Sequence, residues 1–100
     1  MDLFKKPIAF EWDLGNQNKN WVKHRVTNEE SEEVFFDPHK RILRHVFYQE
    51  KEERFILVGK TKKERFLAVV FTIRGEKVRV ISSRDLNRKE RVLYEETSGA

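Results

Sequence analysis

Ile8, Phe10 and Trp12 alternate with Ala9 and Glu11, which is the period of a strand with one wet face. The pattern then changes. Gly15 and the asparagines at 16, 18 and 20 signal a turn and a helix start, and a short helix through Trp21 and Val22 reaches Lys23 and His24, whose cationic character suits the negative end of a helix dipole. Thr27-Asn28-Glu29-Glu30 has the spacing of a capping box, so a second helix should run to about Phe36, where Asp37-Pro38 stops it. From Arg41 the pattern is β-branched and aromatic. The runs 41–47, 54–61, 66–73 and 78–83 are separated by polar turns, mostly short enough for hairpins, and predict an antiparallel meander. In the third run Leu67, Val69, Phe71 and Ile73 share one face while Phe66, Ala68 and Val70 share the other, as expected of a central strand covered on both sides. Asn87-Arg88-Lys89-Glu90 again has capping-box spacing and opens a helix carrying Val92, Leu93 and Tyr94, with 98–100 as a frayed tail. The order predicts a single α+β domain over residues 1–100: an N-terminal strand, two short helices, the meander and a C-terminal helix.

Composition narrows what such a domain can do. With 38% hydrophobic residues, including eight Phe and two Trp, the chain can build one core despite 38% charged residues. No stretch approaches the roughly 18 apolar residues of a membrane span, and Met1-Asp2-Leu3-Phe4-Lys5-Lys6-Pro7 lacks the apolar core of a signal peptide. Cysteine is absent, which removes thiol catalysis, disulfides and thiolate metal sites, so a cytoplasmic protein is expected. A net charge of +4 leans toward a polyanion partner. The charge is also segregated: Glu29, Glu30, Glu32 and Glu33 are acidic, whereas Arg74, Lys77, Arg79, Arg84, Arg88, Lys89 and Arg91 make the C-terminal quarter basic.

Several chemistries find no support. The histidines at 24, 39 and 45 lack zinc spacing, the glycines are scattered rather than grouped in a phosphate-cradling loop, and no Gly-x-Ser-x-Gly elbow occurs. No metal or cofactor is therefore expected. The adjacent Lys23 and His24 stand out instead, because a fixed cation beside the side chain that titrates near neutrality suits phosphate chemistry.

Polar residues at the ends of apolar elements carry a family resemblance. Phe10-Glu11-Trp12-Asp13, Asn20-Trp21-Val22-Lys23-His24, Val34-Phe35-Phe36-Asp37, Glu53 to Gly59, Val69 to Arg74, and Arg79-Val80-Ile81-Ser82-Ser83-Arg84 with Lys89-Glu90-Arg91 and Tyr94 together resemble the BrnT toxins. These are ribonuclease toxins of type II toxin–antitoxin systems, with a RelE-like fold. The resemblance covers nearly the whole chain. Two places depart from the common pattern: Thr27-Asn28 stands where an apolar residue is usual, and Ile81-Ser82-Ser83-Arg84 replaces Ile-Ser-Ala-Arg.

The resemblance implies metal-independent cleavage of RNA, with a BrnA-like antitoxin as partner, higher-order toxin–antitoxin complexes, and no DNA binding by this chain without the antitoxin. In such cleavage a ribose 2′-hydroxyl loses its proton and attacks phosphorus while cations hold the growing charge. Lys23, Arg54, Arg74 and Arg84 are the candidate clamps, and His24 is the acid–base candidate. Each has a structural alternative. His24 could bond the last carbonyls of its helix, Lys23 could be a solvated cap, Arg54 and Arg74 could mark sheet edges, and Arg84 could pair with Asp85 or Glu90. Trp12 and Trp21 could stack on bases, but tryptophans at this spacing more often form the aromatic seam between strand and helix, and both are assigned to the core. Two other functions stay open here: an RNA-binding module that does not cut, and an interaction protein whose basic residues dock an acidic partner.

Overall fold

The computed structural model describes residues 4, 7–47 and 52–98, without the side chains of 44–47 and 97–98. Most of the N-terminal segment and residues 99–100 of the expected tail lie outside the described residues. The element order is β1 (Ala9–Phe10), α1 (Lys19–His24), α2 (Asn28–Glu33), a 3₁₀ turn (Val34–Phe36), β2 (Arg41–Phe47), β3 (Glu53–Lys60), β4 (Phe66–Arg74), β5 (Lys77–Asp85) and α3 (Arg88–Ser98). The sheet order is β1-β5-β4-β3-β2. The expected meander accounts for β2 to β5, all paired antiparallel. β1 adds a short parallel pairing at the edge, Ala9 against Lys77 and Phe10 against Val78, so the sheet is mixed. It is shorter than the expected 8–12 run, and only Glu11 N–H continues the contact, to the Val78 carbonyl at 2.8 Å.

β4 is central, as its two-sided apolar pattern requires. On one face Leu67, Val69 and Phe71 join Leu57, Val78, Val80, Val26, Val34 and Phe35 in the main core. The Phe71 ring lies 5.1 Å from Phe35, edge-on, and 5.2 Å from Phe55, stacked. α1 and α2 cover this face. The other face carries a smaller cluster of Val58, Ala68 and Tyr94 with Phe66 and Leu86 packed against it, and α3 covers it. A bulge between Val70 and Phe71 against β5 lets Val80 and Ser83 both face the helices.

The termini of the helices follow from local chemistry. Thr27 Oγ1 accepts from Glu30 N–H at 3.0 Å while Glu30 Oε1 accepts from Thr27 N–H at 2.9 Å, which is the capping box read in the sequence. Thr27→Ala is expected to cost about 1 kcal/mol in urea denaturation, since it leaves one helix donor without its acceptor. Between β4 and β5, Gly75 adopts φ +61 at the first central position of a two-residue hairpin turn, where a side chain would be strained. At Gly59 a Cβ would meet Val34 Cβ and its carbonyl at 3.0 Å, so glycine lets the 3₁₀ turn settle directly on β3.

Candidate functional site

α1 ends where Arg25 turns left-handed, at φ 57, and its N–H bonds the Trp21 carbonyl. The helix is anchored from beneath by Asn20, whose Oδ1 accepts from the Ser83 N–H of β5 at 2.8 Å. Ser83 in turn shares a 2.7 Å hydroxyl contact with Ser31 of α2. The small, buried hydroxyls allow both helices to sit close to the end of β5. Lys23 and His24 therefore project, exposed, at the end of the sheet where β5 terminates.

A residue that pattern reading passed over ties this end together. Arg65, in the turn between β3 and β4, donates to the carbonyls of Arg25 at 2.8 Å and His24 at 3.1 Å, which are the orphan acceptors of the α1 terminus. The same guanidinium holds Asp85 at 2.8 and 3.2 Å and Glu30 at 3.3 Å. These hydrogen bonds hold the Asp85 carboxyl below its ordinary range, with the His24 ring adding to the effect, and push the Arg65 guanidinium further up. In the sequence Arg65 is one of several charges in a polar turn, and nothing in the spacing separates it from Lys62 or Lys63.

Arg84 stands one residue beyond Ser83 and therefore points to the opposite face of the sheet. Its guanidinium makes a two-pronged contact with Glu90 of α3, both arms at 2.8 Å. Glu90 also accepts from Asn87 N–H at 3.1 Å and completes the α3 capping box, so Arg84 is held by the start of that helix. The pairing lowers the Glu90 carboxyl and raises the Arg84 guanidinium.

Arg54 and Arg74 lie at the other end of the strands. Glu52 bridges them, meeting Arg54 Nε at 2.8 Å and Arg74 at 3.1 Å. The row continues through Glu11, 3.8 Å from Arg74 and 3.0 Å from Arg79, and closes at Asp13, 2.8 Å from Arg79. The arginines hold the Asp13 and Glu52 carboxyls below their ordinary range. Arg84 is opposite Ala68 on β4, six residues from Arg74, a separation of roughly 20 Å at about 3.3 Å per strand residue.

The four candidate clamps consequently do not share one concavity. Lys23 and His24 lie at the end of β5 on the α1 face, and Arg84 lies near the same strand end on the α3 face. Arg54 and Arg74 form a separate, carboxylate-matched row. The strand alternation and antiparallel register place them apart, because both sit at the end where β3 begins and β4 finishes.

None of these groups lines either of two cavities formed by described residues. One, of ≈ 790 Å³, is lined by Glu29, Glu32, Glu33 and Glu64 with Phe36 and Lys60, and its carboxylates would repel a phosphate. A smaller one, of ≈ 470 Å³, lies beside Asp85 and Asn87 with Arg88 and Arg91 on its wall. Trp12 packs on the main core and donates from Nε1 to Glu32 at 2.7 Å, in keeping with a seam residue. Trp21 differs: it is 46% exposed, because it lies on the outer side of α1, away from the Asn20 face that meets β5. Among the described residues no three His, Asp or Glu side chains form a metal-binding group, and no helix is long and apolar enough to cross a membrane.

The family model described as "Ribonuclease toxin, BrnT, of type II toxin-antitoxin system" matches residues 12–90, which include every element from α1 to β5. A comparison with curated proteins found no match.

Proposed function

Since that match spans most of its length, the chain belongs to the BrnT ribonuclease toxins of type II toxin–antitoxin systems, and from this premise we propose that it cuts RNA without a metal ion at the end of β5. The observation that carries the placement is the exposed Lys23-His24 pair at the α1 terminus. No salt bridge among the described residues involves Lys19, Lys23 or Arg25, whereas Arg54, Arg65, Arg74, Arg79 and Arg84 all hold carboxylates. Unmatched cations are where an incoming phosphate gains most.

In this reading the 2′-hydroxyl gives up its proton as its oxygen bonds to the adjacent phosphorus. The bond from phosphorus to the 5′-oxygen breaks, and that oxygen takes a proton as it leaves. Lys23 and Arg84 hold the non-bridging oxygens, and His24 moves the proton at its imidazole. Arg84 enters this role by exchanging Glu90 for the phosphate, and the Glu90 contact keeps its fork extended meanwhile. Arg54 and Arg74 contact the RNA away from the scissile bond. The products are a 2′,3′-cyclic phosphate and a 5′-hydroxyl.

The domain acts in the cytoplasm and is neutralised by a BrnA-like antitoxin that carries the DNA-binding function and assembles with it into higher-order complexes. Purified protein should cleave RNA in EDTA, with substrate affinity falling steeply as salt rises. Expression alone should arrest growth, and co-expression of the antitoxin should relieve it. RNA left intact by protein that binds its antitoxin would defeat the cleavage reading in favour of a non-catalytic RNA-binding or interaction module.

A further inference from the structure

Trp21 is an apolar ring set in a basic surface. It is 46% exposed, and the Arg25 guanidinium carbon lies over the ring, 5.3 Å from its centroid. Lys19, Lys23 and His24 are exposed on the same short helix, and the next residue, Val22, is 73% exposed. Trp21 and His24 are three apart on the helix and so neighbours on its surface, and the left-handed turn at Arg25 brings its guanidinium over the Trp21 ring.

Burying an indole among cations suits few partners. A protein partner would need carboxylates around an apolar socket, whereas single-stranded RNA brings both requirements in every nucleotide: a flat base for the ring and a phosphate for the cations. Arg25 adds a second planar group that can stack on a base while keeping its charge toward the backbone. The left-handed turn that ends α1 holds Arg25 in place, since its own N–H is fastened to the Trp21 carbonyl at 3.0 Å and its carbonyl to Arg65 at 2.8 Å. The platform is thus built on anchored backbone.

We propose that Trp21 and Arg25 form a stacking subsite for one unpaired base of the RNA, next to Lys23-His24, so that the base is gripped while its neighbouring phosphate reaches the cations. This rests on the ribonuclease reading above and extends it to substrate positioning. Every base has a flat face, so the subsite selects unpaired over paired RNA more than one base over another.

The test uses a fluorescein-labelled 2′-O-methyl oligoadenylate 10-mer, which lacks the nucleophilic hydroxyl and so reports binding without cleavage. Removing one base stack at about 1–3 kcal/mol corresponds to about 5- to 150-fold in Kd, so Trp21→Leu should weaken binding within that range while Trp21→Phe stays within about threefold of the parent. In protein carrying 5-fluorotryptophan, the ¹⁹F signal that Trp21→Phe removes should shift on titration, and the Trp12 signal should not. Parent and Trp21→Leu proteins binding equally, with the parent still cleaving RNA, would overturn the subsite and leave the ribonuclease reading intact. A parent that neither binds nor cleaves would overturn both. If Trp21→Leu keeps RNA affinity but loses the antitoxin, the patch is a protein surface and the proposal fails.

Discussion

Alanine at Lys23 or at Arg84 is expected to slow RNA cleavage by about 10²–10³-fold, the effect of removing one preorganised donor from a developing phosphate charge. The same change at Arg54 or Arg74 should leave the rate within about tenfold. The contrast follows from placement, because Arg54 and Arg74 share the Glu52 carboxylate roughly 20 Å along the sheet from Arg84. Single-turnover cleavage of a labelled RNA, with circular dichroism to verify folding, reads the difference. Lys23 is exposed and outside any salt bridge among the described residues, so its alanine variant should keep the parental urea midpoint. Arg84→Ala removes the partner of Glu90, yet Glu90 still caps α3 through Asn87, so stability should fall by only about 1 kcal/mol. Arg84→Lys separates charge from geometry: an ammonium cannot reproduce the fork, and cleavage should stay well below the parent. Equal losses at all four positions would mean that the two ends of the sheet act as one site, and the assignment to the end of β5 would fail.

The elements of the fold were legible because each is written locally. Period-two runs mark β2 to β5, the Thr27 and Asn87 boxes open α2 and α3, and Asp37-Pro38 closes the 3₁₀ turn, so short-range chemistry suffices. β1 is the exception. Its parallel partner lies 68 residues away at Lys77 and Val78, and a lone alternating segment carries no information about whom it joins. The same limit applies to the candidate site. Lys23 and Arg84 meet the end of one strand because Asn20 fastens α1 to Ser83, a contact that neither residue's neighbours disclose. Alternation along β5 does place Ser83 and Arg84 on opposite faces, but only the structure says that α3 rather than α1 covers the second.

Charge segregation along the chain also reads differently once folded. The basic C-terminal quarter meets acidic residues: Arg79 takes Glu11 and Asp13 and Arg74 takes Glu52 from elsewhere in the chain, and Arg84 takes Glu90 from within the quarter itself. Much of the apparent cationic surface of that quarter is thereby matched internally, while Lys19 and Lys23 of α1 and Arg25 at its end join Lys77, Arg88 and Lys89 as cations outside any salt bridge among the described residues. Trp21 belongs to the same correction, since an indole counted toward the core from its sequence neighbours turns out to be surface material within that cationic patch.

Asp37→Ala should destabilise the fold by about 3 kcal/mol, a loss comparable to a large core truncation. The residue is only 6% exposed, and its carboxylate accepts from three donors: Tyr94 O–H at 2.7 Å, Lys60 N–H at 2.8 Å and His39 N–H at 2.9 Å. It thus fastens α3, β3 and the end of the 3₁₀ turn at one point. Removing it strands a buried phenol and two backbone donors, each costing about 1–3 kcal/mol where water does not refill the space. Tyr94→Phe takes away one donor and leaves the two backbone bonds, so it should cost about 1–2 kcal/mol, and the double variant should cost less than the sum. The pair also sets an acid limit. Burial pushes the Asp37 carboxyl up, but its hydrogen bonds, led by Tyr94, outweigh that and leave it below the ordinary value, whereas burial and the same contact push the Tyr94 phenol up. With the folded pKa depressed, the unfolded chain binds the proton more readily. The stabilisation is therefore fully present above about pH 4, near the unfolded pKa, and is lost as pH falls through the folded value. Urea midpoints of the parent should decline through this window, together with contributions from Asp13, Glu52, Asp85 and Glu90, which are depressed likewise. Asp37→Asn cannot titrate, so its decline should be shallower than the parent's. Parallel acid limbs for the two proteins would show that Asp37 is held by packing alone.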